Sequence, residues 1–95
     1  MPDEEALHDG ARPRLPRHVK FRFDRSRDAW VLLAPERVLM PDEIAVEILK
    51  RCTGDTTLAA VIDDLAAGYE ADRNEIAGDV TEMLRGLIAQ GLVVA

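Results

Sequence analysis

Between Val19 and Asp24 the chain alternates. Val19, Phe21 and Phe23 fall on one side and Lys20, Arg22 and Asp24 on the other. A period of two predicts a half-buried strand. Asp24–Asp28 is a charged turn. Ala29–Leu33 is then apolar throughout, as in a strand that is central in a sheet or covered on both faces. Ala34-Pro35-Glu36-Arg37 turns the chain, with Pro35 suited to the second position of a type I turn. Val38, Leu39 and Met40 make a third short strand. Short sequential connections predict an antiparallel meander.

From Pro41 the period lengthens to that of a helix. Asp42 is the expected N-cap of a first helix carrying Ile44, Ala45, Ile48, Leu49 and Cys52, with Gly54 as the residue that ends it. Asp55 or Thr56 is expected to cap a second helix, whose stripe is Leu58, Val61, Ile62, Leu65 and Tyr69 and which Gly68 closes. Asp72 and Glu75 form a D-x-x-E arrangement close to a capping box. The third helix carries Ile76, Val80, Met83, Leu84, Leu87 and Ile88 and stops at Gly91, after which Leu92-Val93-Val94 adds a short extended piece. The pattern predicts an α+β domain, a three-stranded antiparallel sheet followed by three helices, over residues 17–95. Residues 1–16, with three prolines and almost no apolar periodicity, read as a flexible tail.

Composition fits one small domain: 95 residues, 47% apolar, with an aliphatic core because aromatics are only 4%. A single cysteine excludes an internal disulfide and a cysteine-rich zinc site. Cys52 falls on an apolar stripe and reads as a core residue. No run approaches the ~20 apolar residues of a membrane span, and no signal-like apolar region follows Met1. The expected compartment is the cytoplasm.

Charge changes the picture more. The net charge is −6, yet Arg12, Arg14, Arg17, Lys20, Arg22, Arg25 and Arg27 face only Asp24 within their stretch. From Pro41 onward there are eleven acidic residues against four basic ones. The bland reading is solubility; the sharper one is a polar protein partner that meets one face.

Catalytic chemistry is missing from the pattern. There is one serine, Ser26, in the charged turn, and no GxSxG, P-loop, GxGxxG or CxxC motif. His8 and His18 have no metal-ligand spacing with other residues. Asp63-Asp64 is most simply a solvated helix edge. The expectation is a protein that is not an enzyme and needs no cofactor or metal.

Two binding classes remain. Three helices with a small sheet resemble a winged helix, so a DNA reader is the first. Its third helix, however, carries Asp72, Glu75, Asp79 and Glu82 against Arg73 and Arg85, which phosphate would repel. The second class is peptide binding by strand addition: an extended peptide pairs with the edge Val38–Met40 and packs against the helix bearing Val80, Met83, Leu84 and Leu87.

The segments PRLPRHVKFRFD (Pro13–Asp24), WVLLAPERVLMPDE (Trp30–Glu43), AVEILKRCTGDTTLAAVIDDLAAGY (Ala45–Tyr69) and EIAGDVTEMLRGLIAQGLV (Glu75–Val93) together resemble the pyrroloquinoline quinone (PQQ) biosynthesis protein D family, PqqD. The resemblance implies a winged helix-turn-helix-like domain that acts as a peptide chaperone, a recognition element for a ribosomally made, modified peptide. It implies two partners: the precursor peptide PqqA, and the radical S-adenosylmethionine enzyme PqqE to which it is presented. It also implies a groove between the third strand and third helix, with Arg37, Val38, Leu39 and Met40 on the strand side and Asp79, Val80, Met83, Leu84 and Leu87 on the helix side. Alternatives left open are service to another modified peptide and DNA binding. Neither nucleic acid nor membrane is an expected partner.

Overall fold

The structure, a computed structural model, describes residues 7–95. Strands β1 (Lys20–Asp24), β2 (Ala29–Ala34) and β3 (Arg37–Leu39) form an antiparallel sheet in the order β1-β2-β3. Helices α1 (Glu43–Lys50), α2 (Leu58–Tyr69) and α3 (Arg73–Ala89) follow. The apolar strand is central, as its pattern predicts. Phe21 pairs with Leu32, and Leu32 with Leu39, so these three share a face and pack on the core formed with the helices. The β1–β2 turn is held by Asp24, whose Oδ1 accepts from the Ser26 N–H (3.0 Å) and hydroxyl (2.8 Å). The Ser26 hydrogen bond also lowers the Asp24 pKa. Pro35 and Glu36 need no left-handed backbone, in keeping with a type I turn.

Trp30 joins sheet to helix. Phe21 stacks on it at 4.8 Å, Phe23 meets it edge-on at 5.8 Å, and the Lys50 ammonium of α1 sits 5.2 Å above the ring. Each aromatic pair is worth about 0.5–1.5 kcal/mol beyond burial.

Helix ends are closed largely as the sequence signals. Asp42 caps α1, accepting from the Ala45 N–H at 2.8 Å. Gly91 (φ 75) closes α3: its own N–H donates to Ile88 O and that of Leu92 to Leu87 O, both 2.9 Å. This pair of hydrogen bonds is the Schellman arrangement, which needs a left-handed residue where Gly91 stands. Other ends differ. The helix α1 stops at Lys50, and Gly54 (φ 86) lies in the following loop against the Arg14 side chain. Thr57, not Asp55 or Thr56, caps α2, and Glu70 rather than Gly68 closes it in a left-handed conformation (φ 53). Asp72 precedes α3 without a side-chain cap bond, so the expected capping box does not form. Tyr69, expected in the stripe, is exposed at the end of its helix.

The largest departure is at the N-terminus. Met1–Ala6 lies outside the described residues. Residues 7–16, expected to belong to a tail, are built into the domain. Leu7, Ala11 and Pro13 are buried. The carbonyls of Asp9 and Ala11 accept from the N–H groups of Ala59 (3.0 Å) and Leu58 (2.7 Å), satisfying donors at the start of α2 that have no partner within their helix. Arg14 exchanges a pair of 2.8 Å backbone bonds with Val94, in the expected extended piece after α3, and also bridges to Thr53. Among the described residues, no helix is long and apolar enough to cross a membrane.

Candidate functional site

Strand β3 leads directly into Pro41 and the Asp42 cap, so the strand and the first turn of α1 are held at a fixed angle. Helix α3 runs the opposite way past them: Met83 lies near Asp42, and Gln90, just beyond the helix, near Arg37. The space between is an open groove of about 260 Å³. Its strand side is Leu39, Met40 and Pro41; Ala45 and Leu49 of α1 and Met83 and Leu87 of α3 form the walls, with Leu32 of β2 beneath. Asp42 is the one charged residue lining it, and its carboxylate already accepts the cap bond. This groove is smaller than the ~300–1,000 Å³ typical of small-molecule sites. Its walls suit the insertion of apolar side chains from a chain lying across them.

The elements around the groove are tied to one another. Arg37 spans from β3 to the end of α3, donating to Gln90 Oε1 (3.1 Å) and Gln90 O (3.0 Å). Arg51 links the end of α1 to Asp64 of α2 at 2.6 Å and to Glu47 at 3.0 Å. The Asp64 hydrogen bond raises the Arg51 pKa, and the Arg51 hydrogen bond lowers that of Glu47. Such pairs near the surface contribute about 0.2–1 kcal/mol each; here their main effect is to fix the α1 wall.

The nine residues expected at the site separate by depth. Leu39, Met40, Met83 and Leu87 line the groove. Val80 and Leu84 do not: they are core residues, 2% and 0% exposed, beneath the helix surface. Asp79 is outside the groove, on an adjoining acidic shelf with Asp42, Glu82 and the exposed Ile44. Arg37 is spent on its tie to Gln90. Val38, 53% exposed, pairs with Leu33 and so stands on the sheet face opposite Leu39. The expected set lacks Leu32, Pro41, Asp42, Ala45 and Leu49. Ala45 and Leu49 are one helical turn apart on the α1 stripe; that spacing was the available signal that a second helix borders the groove.

Among the described residues both edges of the sheet are unpaired, and they are not equivalent. The edge strand β1 carries exposed Lys20 and Arg22, the charged guarding that keeps an edge from pairing with other chains. The other edge strand, β3, is three residues long and borders the groove. In an antiparallel ladder alternate residues turn N–H and C=O outward, so β3 offers a main-chain template beside an apolar trough.

Residues 29–93 match the family model described as Coenzyme PQQ synthesis protein D (PqqD). A relative from Rhodopseudomonas palustris (strain HaA2), named PqqA binding protein, is 54% identical over 88 residues, covering 93% of this chain and 86% of its own. The chain belongs to the PqqD family. A second PqqA binding protein, from Bradyrhizobium diazoefficiens, is 48% identical over 97% of this chain and 89% of its own. The solution NMR structure of the PqqD truncation of Methylobacterium extorquens PqqCD, a functional stand-alone recognition element, overlays with a TM-score of 0.79 at 37% identity, covering 99% of this chain and 100% of that one. The crystal structure of PqqD from Xanthomonas campestris overlays at 0.55 with 43% identity, over 80% of this chain and 84% of its own. The region matching the PqqD model begins at Ala29 and so contains β2, β3 and all three helices, the whole lining of the groove, but not β1.

Among the described residues, no group of three or more His, Cys, Asp or Glu is placed to hold a metal. Cys52 is buried at the end of α1, its thiol donating to Ile48 O at 3.3 Å, and burial pushes its pKa up to about 12. In native protein at pH 8 it is expected to resist Ellman's reagent and to react promptly once unfolded in guanidinium. The linked pH effect has a definite sign. An unfolded thiol ionises near pH 8.5–9, whereas the folded one holds its proton to about 12. The stability owed to the neutral thiol is therefore complete below pH ~9 and is lost as pH rises toward 12.

Proposed function

We propose that this chain is a peptide chaperone of PQQ biosynthesis that binds the precursor peptide PqqA as an added strand on β3 and presents it to the radical S-adenosylmethionine enzyme PqqE. The observation that carries the reading is the open β3 edge beside an apolar groove. Backbone bonds to the edge supply affinity that any extended peptide shares, and alternate side chains entering the groove supply selectivity. Leu39, Met40, Met83 and Leu87 receive those side chains. Val38 contributes main chain, Arg37 braces the strand through Gln90, and Asp79 meets a basic or amide group of the peptide at the shelf. Val80 and Leu84 act from beneath, by holding α3 in place. The names of the relatives, PqqA binding proteins and a recognition element, support the peptide's identity. They also support a role in binding rather than catalysis. The cytoplasm is the proposed compartment.

Titration of the labelled protein with PqqA, followed through backbone amide NMR shifts, tests this. Shifts are expected at Arg37–Met40 and along Met83–Leu87. Shifts confined to Arg12–Arg27 would move the site to the basic front of the molecule.

A further inference from the structure

We propose that the sheet face turned away from the helices is a second docking surface, for an acidic patch on the peptide-modifying enzyme, and that the bound peptide completes it. This rests on strand addition at β3. The register sets Lys20 opposite Leu33 and Leu33 opposite Val38, so the three side chains form one row across all three strands. Arg22 shares this face, opposite Val31. The opposite face, with Phe21, Leu32 and Leu39, is the one packed on the core. Val31 is already covered, at 1% exposed. The accessible surface is therefore an aliphatic strip, half-buried Leu33 and exposed Val38, bordered by two exposed cations, with the one carboxylate of β1 on this face, Asp24, paired to Arg27.

Charge says what fits there. Neither Lys20 nor Arg22 has an ion-pair partner among the described residues. Arg17 and Arg25, near the two ends of β1, likewise have none, and they add to the same positive field. The helical half, with eleven acidic residues from Pro41 on, repels an acidic partner. Such a partner is therefore steered to the sheet side and oriented on arrival.

Strand geometry then joins this face to the peptide. A strand added beside β3 lies about 4.8 Å beyond it, and its side chains alternate between the two faces. Those pointing inward enter the groove. Those pointing outward extend the row Lys20–Leu33–Val38 by one position. Three strand spacings, about 14 Å, separate the peptide from Lys20, within the roughly 28 Å breadth of the ~800 Å² patch that one partner contributes to a standard interface. A protein seated on the row touches this chain and the peptide's outward side chains together. Peptide and enzyme therefore favour each other's binding, and by linkage the effect is reciprocal.

Lys20 and Arg22 also guard the β1 edge, a task that charge of either sign performs. Charge reversal separates the two roles. The experiment measures affinity for PqqE, with and without saturating PqqA, for the parent chain, a Lys20→Glu/Arg22→Glu variant, and Arg85→Glu on α3 as a control for charge reversal away from this face. In the double variant, enzyme binding is expected to weaken at least tenfold, while PqqA affinity and the urea midpoint stay as in the parent. The control is expected to match the parent in both affinities, and PqqA is expected to tighten enzyme binding by the parent severalfold. Equal PqqE affinity in the double variant and the parent, no PqqE binding by the parent, or no effect of PqqA on that binding would overturn the proposal. So would sedimentation showing that the reversal instead abolishes self-association, since a second copy could then occupy the face through its acidic helices. Failure of the parent to bind PqqA would bring down the strand-addition reading itself, and is distinguished by the PqqA titration alone.

Discussion

A Met83→Asp variant is expected to remain folded and to bind PqqA about 100-fold more weakly, a loss of about 2.7 kcal/mol. Met83 is half-buried on the α3 wall of the groove, and its neighbour Asp42 is already engaged in capping. Without peptide, a carboxylate there keeps its water, and the folding cost is mainly the modest helix propensity of Asp plus lost packing. When an apolar side chain of the peptide covers the groove, the same carboxylate must give up that water with no cation to replace it. Asp79 and Glu82 stand on the adjoining shelf and add like-charge repulsion. Leu84→Ala is the counterpart. Leu84 is fully buried under the same helix, so its truncation lowers stability by ~2–5 kcal/mol. It should affect peptide binding only through the fraction folded. Calorimetric titration alongside urea denaturation separates the two variants. Full-strength binding by folded Met83→Asp protein would remove Met83 from the site.

Deleting residues 1–11 is expected to lower unfolding stability by about 4 kcal/mol, of which ~2 comes from unburying Leu7 and ~1 from each lost carbonyl acceptor at the start of α2. Leu7 and Ala11 are 7% and 6% exposed, and the Asp9 and Ala11 carbonyls receive the Ala59 and Leu58 N–H groups. For a small domain whose total stability is roughly 5–15 kcal/mol, the urea midpoint should drop sharply. A segment acting as a tail would leave that midpoint where it was.

The same segment shows where sequence reading ran out. Periodicity reports a face repeated along an element. Leu7, Ala11 and Pro13 belong to no element; they are buried one by one, and their neighbours contribute through main-chain carbonyls, which every residue possesses. The strands and helices were legible because each repeats its pattern over several residues, and Asp42 and Gly91 because each is the one suitable residue at its position. Asp55, Thr56 and Thr57 are three adjacent residues able to cap; only the path of the loop selects Thr57. The groove was half legible. The stripe on α3 marks Val80, Met83, Leu84 and Leu87 alike, yet 80 and 84 form its inner rail and 83 and 87 its outer one. A one-dimensional pattern gives the angular width of a stripe. How deep each side chain lies depends on what is packed against it, and here that is a core beneath one rail and an open trough beside the other.

The paired bonds between Arg14 and Val94 have a kinetic consequence. They join residues 80 positions apart (94 − 14), and the entropy of closing so long a loop exceeds that of a ten-residue hairpin by about 2 kcal/mol. This closure therefore belongs to the late part of folding, after the local hairpins and helices have formed. Once made, it turns the two ends of the domain into one cooperative unit. Opening at Val94 frees the main chain of Arg14, while the Asp9 and Ala11 carbonyls keep the preceding segment on the start of α2. The amides of Arg14 and Val94 should consequently exchange with solvent at a common rate, as partners in a single local unfolding event and not as two independently fraying termini.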